Sequence, residues 1–253
     1  MTARTWLGMQ RIDLEVCNST NDEAARYARA GASHGTVVIA DRQEAGRGRE
    51  GRAWASPLGG LYMSAVMRPP LPLADVPPIT LAIGIAVCDA ARAFGAPAVL
   101  KWPNDVLVGD KKLAGVLVET QSQGGKLDSV IVGIGVNLEI VPSAVSDRAT
   151  ALAVATPGIG RERFISELFE QLERWVDRYV ACGVEAIIPA WQERMAHGLS
   201  ARAVIDGTLL TGELAGIDRD GALLLRDGTG TVHRVRSGDV EVIRPSAVLS
   251  PSA

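Results

Sequence analysis

Gly46-Arg47-Gly48-Arg49-Glu50-Gly51-Arg52 is the stretch on which the reading of this fold turns. Gly46, Gly48 and Gly51 match GxGxxG, the spacing of a dinucleotide-binding turn. The context rejects that reading. A dinucleotide turn runs straight into a helix, whereas Arg52 leads into Ala53-Trp54-Ala55-Ser56-Pro57. A turn of that kind also packs apolar residues between its glycines, and here Arg47, Arg49 and Arg52 stand there instead. Glycine frees the backbone and bares its N–H groups, while guanidinium binds phosphate or carboxylate through two parallel bonds. The stretch therefore predicts a mobile loop that closes over anions, with a solvated basic loop as the plainer alternative.

Outward from this loop the chain reads as alternating strands and helices. Residues 11–17 (RIDLEVC) alternate like a half-buried strand, and Thr20 with Glu23 has capping-box spacing ahead of a helix over 22–30. Buried strands are expected at 36–41 and 61–67, on either side of the loop. The apolar run Ile79–Cys88 after Pro77-Pro78 predicts a buried helix over about 78–95, too short for a membrane span. A short strand at 98–102 follows, then runs at 105–108 and 113–118 joined by a Gly109-Asp110 turn. Residues 127–137 read as a central strand, 142–160 as a loop, and 161–181 and 184–195 as helices. From 199 the pattern changes to short β runs punctuated by Asp206-Gly207, Asp220-Gly221 and Asp227-Gly228. The expected architecture is a mixed sheet with helices over 1–198, followed by a small barrel-like β module over 199–253.

Composition narrows the function. The chain has 253 residues, 47% hydrophobic and 22% charged, with formal net charge −3. It shows no basic domain or stripe for nucleic acid, so no DNA partner is expected. No apolar core of signal-peptide length opens the chain, and no membrane partner is expected. Cys17, Cys88 and Cys182 form no CxxC pair, which points to reduced thiols in a cytoplasm. His34, His197 and His233 are equally scattered, against a His/Cys metal site.

Of 26 basic residues only four are lysine, and Lys101, Lys111 and Lys112 fall within one short window. Lys101-Trp102-Pro103-Asn104-Asp105 ends a predicted strand where Pro103 should stop the ladder. Asp105, in the resulting turn, is a candidate for Mg²⁺ or a substrate hydroxyl, with plain turn chemistry the alternative for Asn104-Asp105. Lys112 can set a point charge on a carboxylate or α-phosphate. Gly115, inside an apolar strand, suggests a bulge or close approach by a ligand. Gly133-Ile134-Gly135-Val136-Asn137 places small residues and an amide at a strand end.

Taken in order, Ser19-Thr20-Asn21, Gln43 with GRGREGRAW, KWPNDV, KKLAGVLVE and GIGVN resemble the biotin–protein ligases, in the form without an N-terminal DNA-binding domain. The resemblance runs from about residue 10 to 245 and includes Ser237-Gly238-Asp239-Val240. Where that family more often has Asp, this chain has Asn18. The resemblance implies an α+β fold, a class II synthetase-like catalytic domain with a small C-terminal SH3-like β-barrel. It implies activation of biotin by ATP and Mg²⁺ to biotinyl-5'-AMP, with no tightly bound prosthetic group. Transfer would follow to a lysine of the biotin carboxyl carrier protein domain of acyl-CoA carboxylases. Ser19, Thr20, Asn21, Gln43, Lys112 and Gly115 would bind biotin, Lys112 at its carboxylate, with Arg47, Gly48 and Arg49 in the loop ordering over it. Arg49, Arg52, Trp54, Lys101, Asn104, Asp105, Lys112 and Asn137 would face ATP or the adenylate. The catalytic set would be Arg47, Arg49, Lys101 and Lys112. A lipoate or octanoate ligase, a ligand-sensing regulator and a non-catalytic binding module are the competing readings. A homodimer through exposed strand edges is left open.

Overall fold

The computed structural model describes residues 6–195, 200–205, 208–236 and 240–243. Strand β1 (Arg11–Cys17) leads through helix α1 (Thr20–Arg29) to β2 (Thr36–Gln43), which lies parallel to β1. After the Gly/Arg loop come β3 (Leu61–Met67), helix α2 (Ile79–Ala93), β4 (Ala98–Lys101) and β5 (Asp105–Val108). The long hairpin β6 (Lys111–Gln123) and β7 (Lys126–Val136) follows, then helices α3 (Leu152–Ala155), α4 (Arg161–Cys182) and α5 (Ile188–Arg194). These strands form one mixed sheet in the order β1-β2-β3-β7-β6-β5-β4, antiparallel except for the β1–β2 pair.

The sheet is covered on both sides, so its middle strands are apolar without interruption. In β2, Val37 and Ile39 face the core under α2 and α4, while Val38 faces Ala24 and Ala28 of α1. Every residue of β3 is buried. Each fully buried Ile, Leu or Phe contributes roughly 1.5–3 kcal/mol, and the larger cluster includes Ile83, Ile85, Phe164 and Phe169. The segment Leu73–Ala93 has the length and composition of a membrane span, yet 61% of its most apolar window is buried inside the fold.

The second sheet is antiparallel, in the order β11-β10-β9-β8-β12, from β8 (Ser200–Ile205), β9 (Thr208–Ile217), β10 (Leu223–Arg226), β11 (Val232–Val235) and β12 (Val240–Ile243). Among the described residues its pairing forms this open row; the expected barrel is represented by that sheet. The expected boundary at 198/199, the Asp206-Gly207 turn and Ser237-Gly238-Asp239 lie outside the described residues. The sheet is fastened to the larger unit where Trp102 Nε1 donates to the Gly221 carbonyl at 3.0 Å.

Three expectations are corrected. The Thr20–Glu23 capping box does not form: Ser19 is the N-cap with no side-chain cap bond, and the Thr20 N–H donates to Gln43 Oε1 at 2.8 Å. A side chain from β2 thus caps α1 across space. The strand expected at 113–118 extends to Gln123, because cross-strand pairing with β7 carries it past its apolar part to the Gly124-Gly125 turn. The expected loop at 142–160 contains the short helix α3, and residues beside Lys112 pair as an extra strand-like edge, with Ala149 bridging Lys112.

Candidate functional site

GRGREGR is the tip of a hairpin. Gln43 pairs with Ser56 and Arg47 with Ala53, and the Gly48 N–H donates to the Arg52 carbonyl at 2.7 Å. A short 3-10 turn at Arg49–Gly51 closes the tip, with Glu50 in the left-handed region at φ 56°. This is the geometry of a flap over a site, since no helix follows.

The flap stands over a cavity of about 860 Å³. All fifteen residues singled out from the sequence line it: Ser19, Thr20, Asn21, Gln43, Arg47, Gly48, Arg49, Arg52, Trp54, Lys101, Asn104, Asp105, Lys112, Gly115 and Asn137. They come from the start of α1 and its N-cap, the end of β2, the flap, the facing ends of β4 and β5 with the turn between them, β6 and the residue after β7. Six cationic side chains and two carboxylates line the cavity, in a chain whose net charge is negative. The positive field is therefore local to the site, where it raises the concentration of anions.

One end is neutral and buried. Ser64 Oγ lies 2.6 Å from Asn21 Oδ1 and 2.8 Å from Thr20 Oγ1, and Thr20 Oγ1 lies 3.1 Å from Gln43 Oε1. The Gln43 oxygen is identified by the Thr20 N–H it accepts, and its amide nitrogen donates to Ser56 Oγ at 2.8 Å. Asn21 Nδ2 donates to Glu119 Oε2 at 2.6 Å, which turns Asn21 Oδ1 toward Ser64. Three oxygen–oxygen contacts thus share only two hydroxyl protons. When both hydroxyls donate to the amide oxygens, Ser64 and Thr20 present lone pairs to each other. This end is short of N–H donors and suited to a head group that supplies them.

The middle has a floor of glycines. A Cβ on Gly133 would come 2.1 Å from Asn21 Oδ1, and one on Gly135 would come 2.6 Å from the Trp54 ring. Gly115, expected to admit a ligand, admits Trp54 and the Lys112 stem, each 3.1 Å from where its Cβ would be. Among the described residues Trp54 Nε1 is buried without a hydrogen-bond partner, and Lys112 Nζ lies 5.0 Å from the ring centroid.

The other end is cationic. Lys112 Nζ is 2.6 Å from Asp105 Oδ1 and Lys101 Nζ is 3.9 Å from Oδ2. The Asp105 carboxylate, expected to take Mg²⁺ or a substrate hydroxyl, lies between these two ammonium groups. Among the described residues no three His, Cys, Asp or Glu side chains cluster as a metal cage. Asn104 and Asn137, expected on the ATP side, both line the cavity and also brace the backbone around it. Asn104 Nδ2 donates to the Val116 carbonyl at 2.7 Å, bracing the turn, while its Oδ1 meets Arg49 Nη1 at 3.4 Å. Asn137 Nδ2 donates to the Thr150 carbonyl at 3.1 Å, so its amide secures the segment that brings Arg148 to the cavity.

Sequence reasoning missed Arg148 and the wall given by Trp191, Leu214, Leu223 and Val240, and also Ser64 and Glu119, which hold Asn21 from behind the lining. A lone serine inside LYMSAVM was a usable signal for Ser64. Arg148 carried none, since it reaches the site only through pairing beside Lys112.

A buried head-group pocket, a glycine floor and a cationic end in one cavity define an enzyme that can hold an acid and a phosphate ester together. The chain belongs to the biotin/lipoate A/B protein ligase family, whose profile matches residues 14–137, and the profile of the biotin protein ligase C-terminal domain matches 202–242. It is 36% identical over 245 residues to the bifunctional ligase/repressor BirA of Bacillus spizizenii, covering 93% of this chain and 75% of that protein. It is also 36% identical over 224 residues to the biotin–[acetyl-CoA-carboxylase] ligase of Paracoccus denitrificans, covering 84% of this chain and 92% of that protein. Among solved structures, the biotin protein ligase from Aquifex aeolicus in complex with biotin and ATP superposes with TM-score 0.80 at 29% identity, covering 94% of this chain and all of that one.

Proposed function

We infer that this chain is a biotin–protein ligase that converts biotin and ATP to biotinyl-5'-AMP and pyrophosphate, then passes biotin to a protein lysine. The observation that carries this reading is the division of one cavity into a donor-poor polar end and a cationic end across a glycine floor. A ureido ring supplies N–H donors to Thr20 and Ser64; a saturated chain or a dithiolane supplies none.

Bringing a carboxylate to the α-phosphate joins two anions. Lys112, Lys101 and Arg49 stand at that end, and their charge is worth more as negative charge gathers on the phosphoryl oxygens than before. Mg²⁺ enters with ATP as part of the substrate and screens its phosphates. A carboxylate oxygen of biotin bonds to the α-phosphorus as the bond to pyrophosphate breaks. The acceptor amine then attacks the acyl carbon, loses a proton and expels AMP. The flap shields the anhydride from water between the two steps.

The acceptor we propose is the lysine of a biotin carboxyl carrier domain of an acyl-CoA carboxylase, following the name of the Paracoccus relative. A cytoplasmic location is part of the proposal, supported by three free cysteines. The test is incubation with Mg-ATP and either biotin or lipoate, followed by native mass spectrometry and pyrophosphate release. Biotinyl-adenylate from biotin alone is expected. Adenylate from lipoate alone would overturn the substrate, and adenylate from neither would overturn the ligase reading.

A further inference from the structure

We propose that Glu119 is a positioning residue, whose single carboxylate ties the flap to the head-group pocket so that binding at one reinforces closure of the other. The inference deepens the biotin ligase reading and rests on it for the identity of the head group.

Glu119 ends the apolar part of β6, opposite Ile131 of β7. Its Oε2 accepts from Asn21 Nδ2 at 2.6 Å, and Arg47 Nη2 lies 3.2 and 3.3 Å from its two oxygens. The same guanidinium reaches Asp22 on α1 through Nη1 at 2.7 Å. Arg47 is thus forked between two carboxylates, whereas Arg49 has one longer ion pair, to Glu50 at 3.9 Å, and points to Asn104 across the cavity. Arg47 latches the flap, and the cations beyond it meet the anions.

The other consequence lies in the pocket. A carboxylate only accepts, so Glu119 forces the Asn21 NH₂ toward itself and the Asn21 oxygen toward Ser64. That orientation draws the Ser64 hydroxyl onto Asn21 and leaves its lone pairs for a ligand N–H. With a glutamine at 119, Asn21 can turn over, Ser64 can donate elsewhere, and the preference for N–H donors is lost. Asp22 shares the latch through Arg47 but makes none of these contacts to Thr20, Asn21 or Ser64, which separates the two roles.

The experiment measures biotin affinity by calorimetry and trypsin cleavage after Arg49 and Arg52, with and without biotin, in the full-length protein. Glu119→Gln is expected to weaken biotin roughly tenfold, as for loss of a charge-assisted bond. It should also speed ligand-free cleavage ~5-fold, the scale of a partly exposed ion pair, and abolish protection by saturating biotin. Asp22→Asn should speed cleavage and weaken biotin clearly less than Glu119→Gln does, because it loosens the latch and leaves the Asn21 orientation in place. Arg47→Met combined with Glu119→Gln should cleave no faster than Arg47→Met alone, because Arg47→Met already removes the Glu119 contact together with the Asp22 pair. Parent-like cleavage and protection in Glu119→Gln would overturn the proposal, as would an equal loss of biotin affinity in Asp22→Asn. If Glu119→Gln fails to fold, Arg47→Met carries the latch test, and unchanged cleavage in it overturns the latch. A parent protein that binds no biotin would instead refute the substrate reading, while the ligand-free cleavage comparison still decides the latch.

Discussion

Lys112 sits 2.6 Å from Asp105 and faces the Trp54 ring, a compact ammonium held from two sides. Its backbone is fixed as firmly, with its N–H donating to the Arg148 carbonyl and its carbonyl accepting from Thr150, both at 2.9 Å. Lys112→Ala should lower the rate of adenylate formation about a hundredfold, the scale of losing one donor at a developing oxyanion. Lys112→Arg should restore only part of it, since a planar guanidinium cannot take the position of a point charge beside Asp105. Single-turnover pyrophosphate release measures both, and parent-like rates in both variants would remove Lys112 from the chemistry. The scarcity of lysine in the sequence was enough to single this residue out. Glu119 and Ser64 were not singled out, because their roles come from partners on α1 and the flap.

At the scale of elements, the site is a seam between α1, the flap hairpin and the ends of β6 and β7. From sequence alone, GIGVN is small residues and an amide at a strand end. In the fold its glycines are a bare stripe on a central strand, and Asn21 and Trp54 rest on it. Gly135→Ala would place a methyl 2.6 Å from the indole and push Trp54 off the floor. The expected result is a changed tryptophan fluorescence spectrum and at least a tenfold loss of adenylate formation, with a stability cost of about 1–3 kcal/mol from overpacking. Urea unfolding followed alongside activity checks this; activity loss matched by global unfolding would refute a local role for the stripe. The flap was legible as a loop over anions because glycine and arginine state its chemistry. Its hairpin pairing was not, because the bonds that build it join Gln43 to Ser56 and Arg47 to Ala53.

For the whole molecule, the entry of the chain is tied down far from the cavity. The Trp6 and Leu7 N–H groups both donate to Glu173 of α4 at 2.8 Å, and the Trp6 ring packs on His34 at 4.4 Å between centroids. His34 Nδ1 accepts the Arg68 N–H at 2.8 Å, which requires a free lone pair on that nitrogen. Burial lowers the pKa of this histidine; Asp177 opposes the shift and Arg68 adds to it. The unfolded chain therefore binds a proton near pH 6.5, where the folded one resists it. Stability supplied by neutral His34 is fully present above about pH 6.5 and declines as the pH falls through that value toward the lowered one. Thermal melts from pH 7.5 to 5.5 should show a fall in Tm that is shallower in His34→Gln. Equal slopes would mean that His34 does not contribute.

The local alphabet of this chain determined its strands, its buried helix after Pro77-Pro78, the anion chemistry of the flap and the residue types of the site. Those properties depend on periodicity, turn residues and side-chain charge within short windows, so they can be read without partners. Tertiary structure alone decided that Gln43 rather than Glu23 caps α1 and that Asp105 faces two lysines. It also decided that Asn137 braces the segment carrying Arg148 and that Glu119 joins flap to pocket. Each of these is a hydrogen bond or ion pair between residues far apart in the chain or on facing strands. Distance and angle settle such bonds, and only the packed sheet brings the groups within reach.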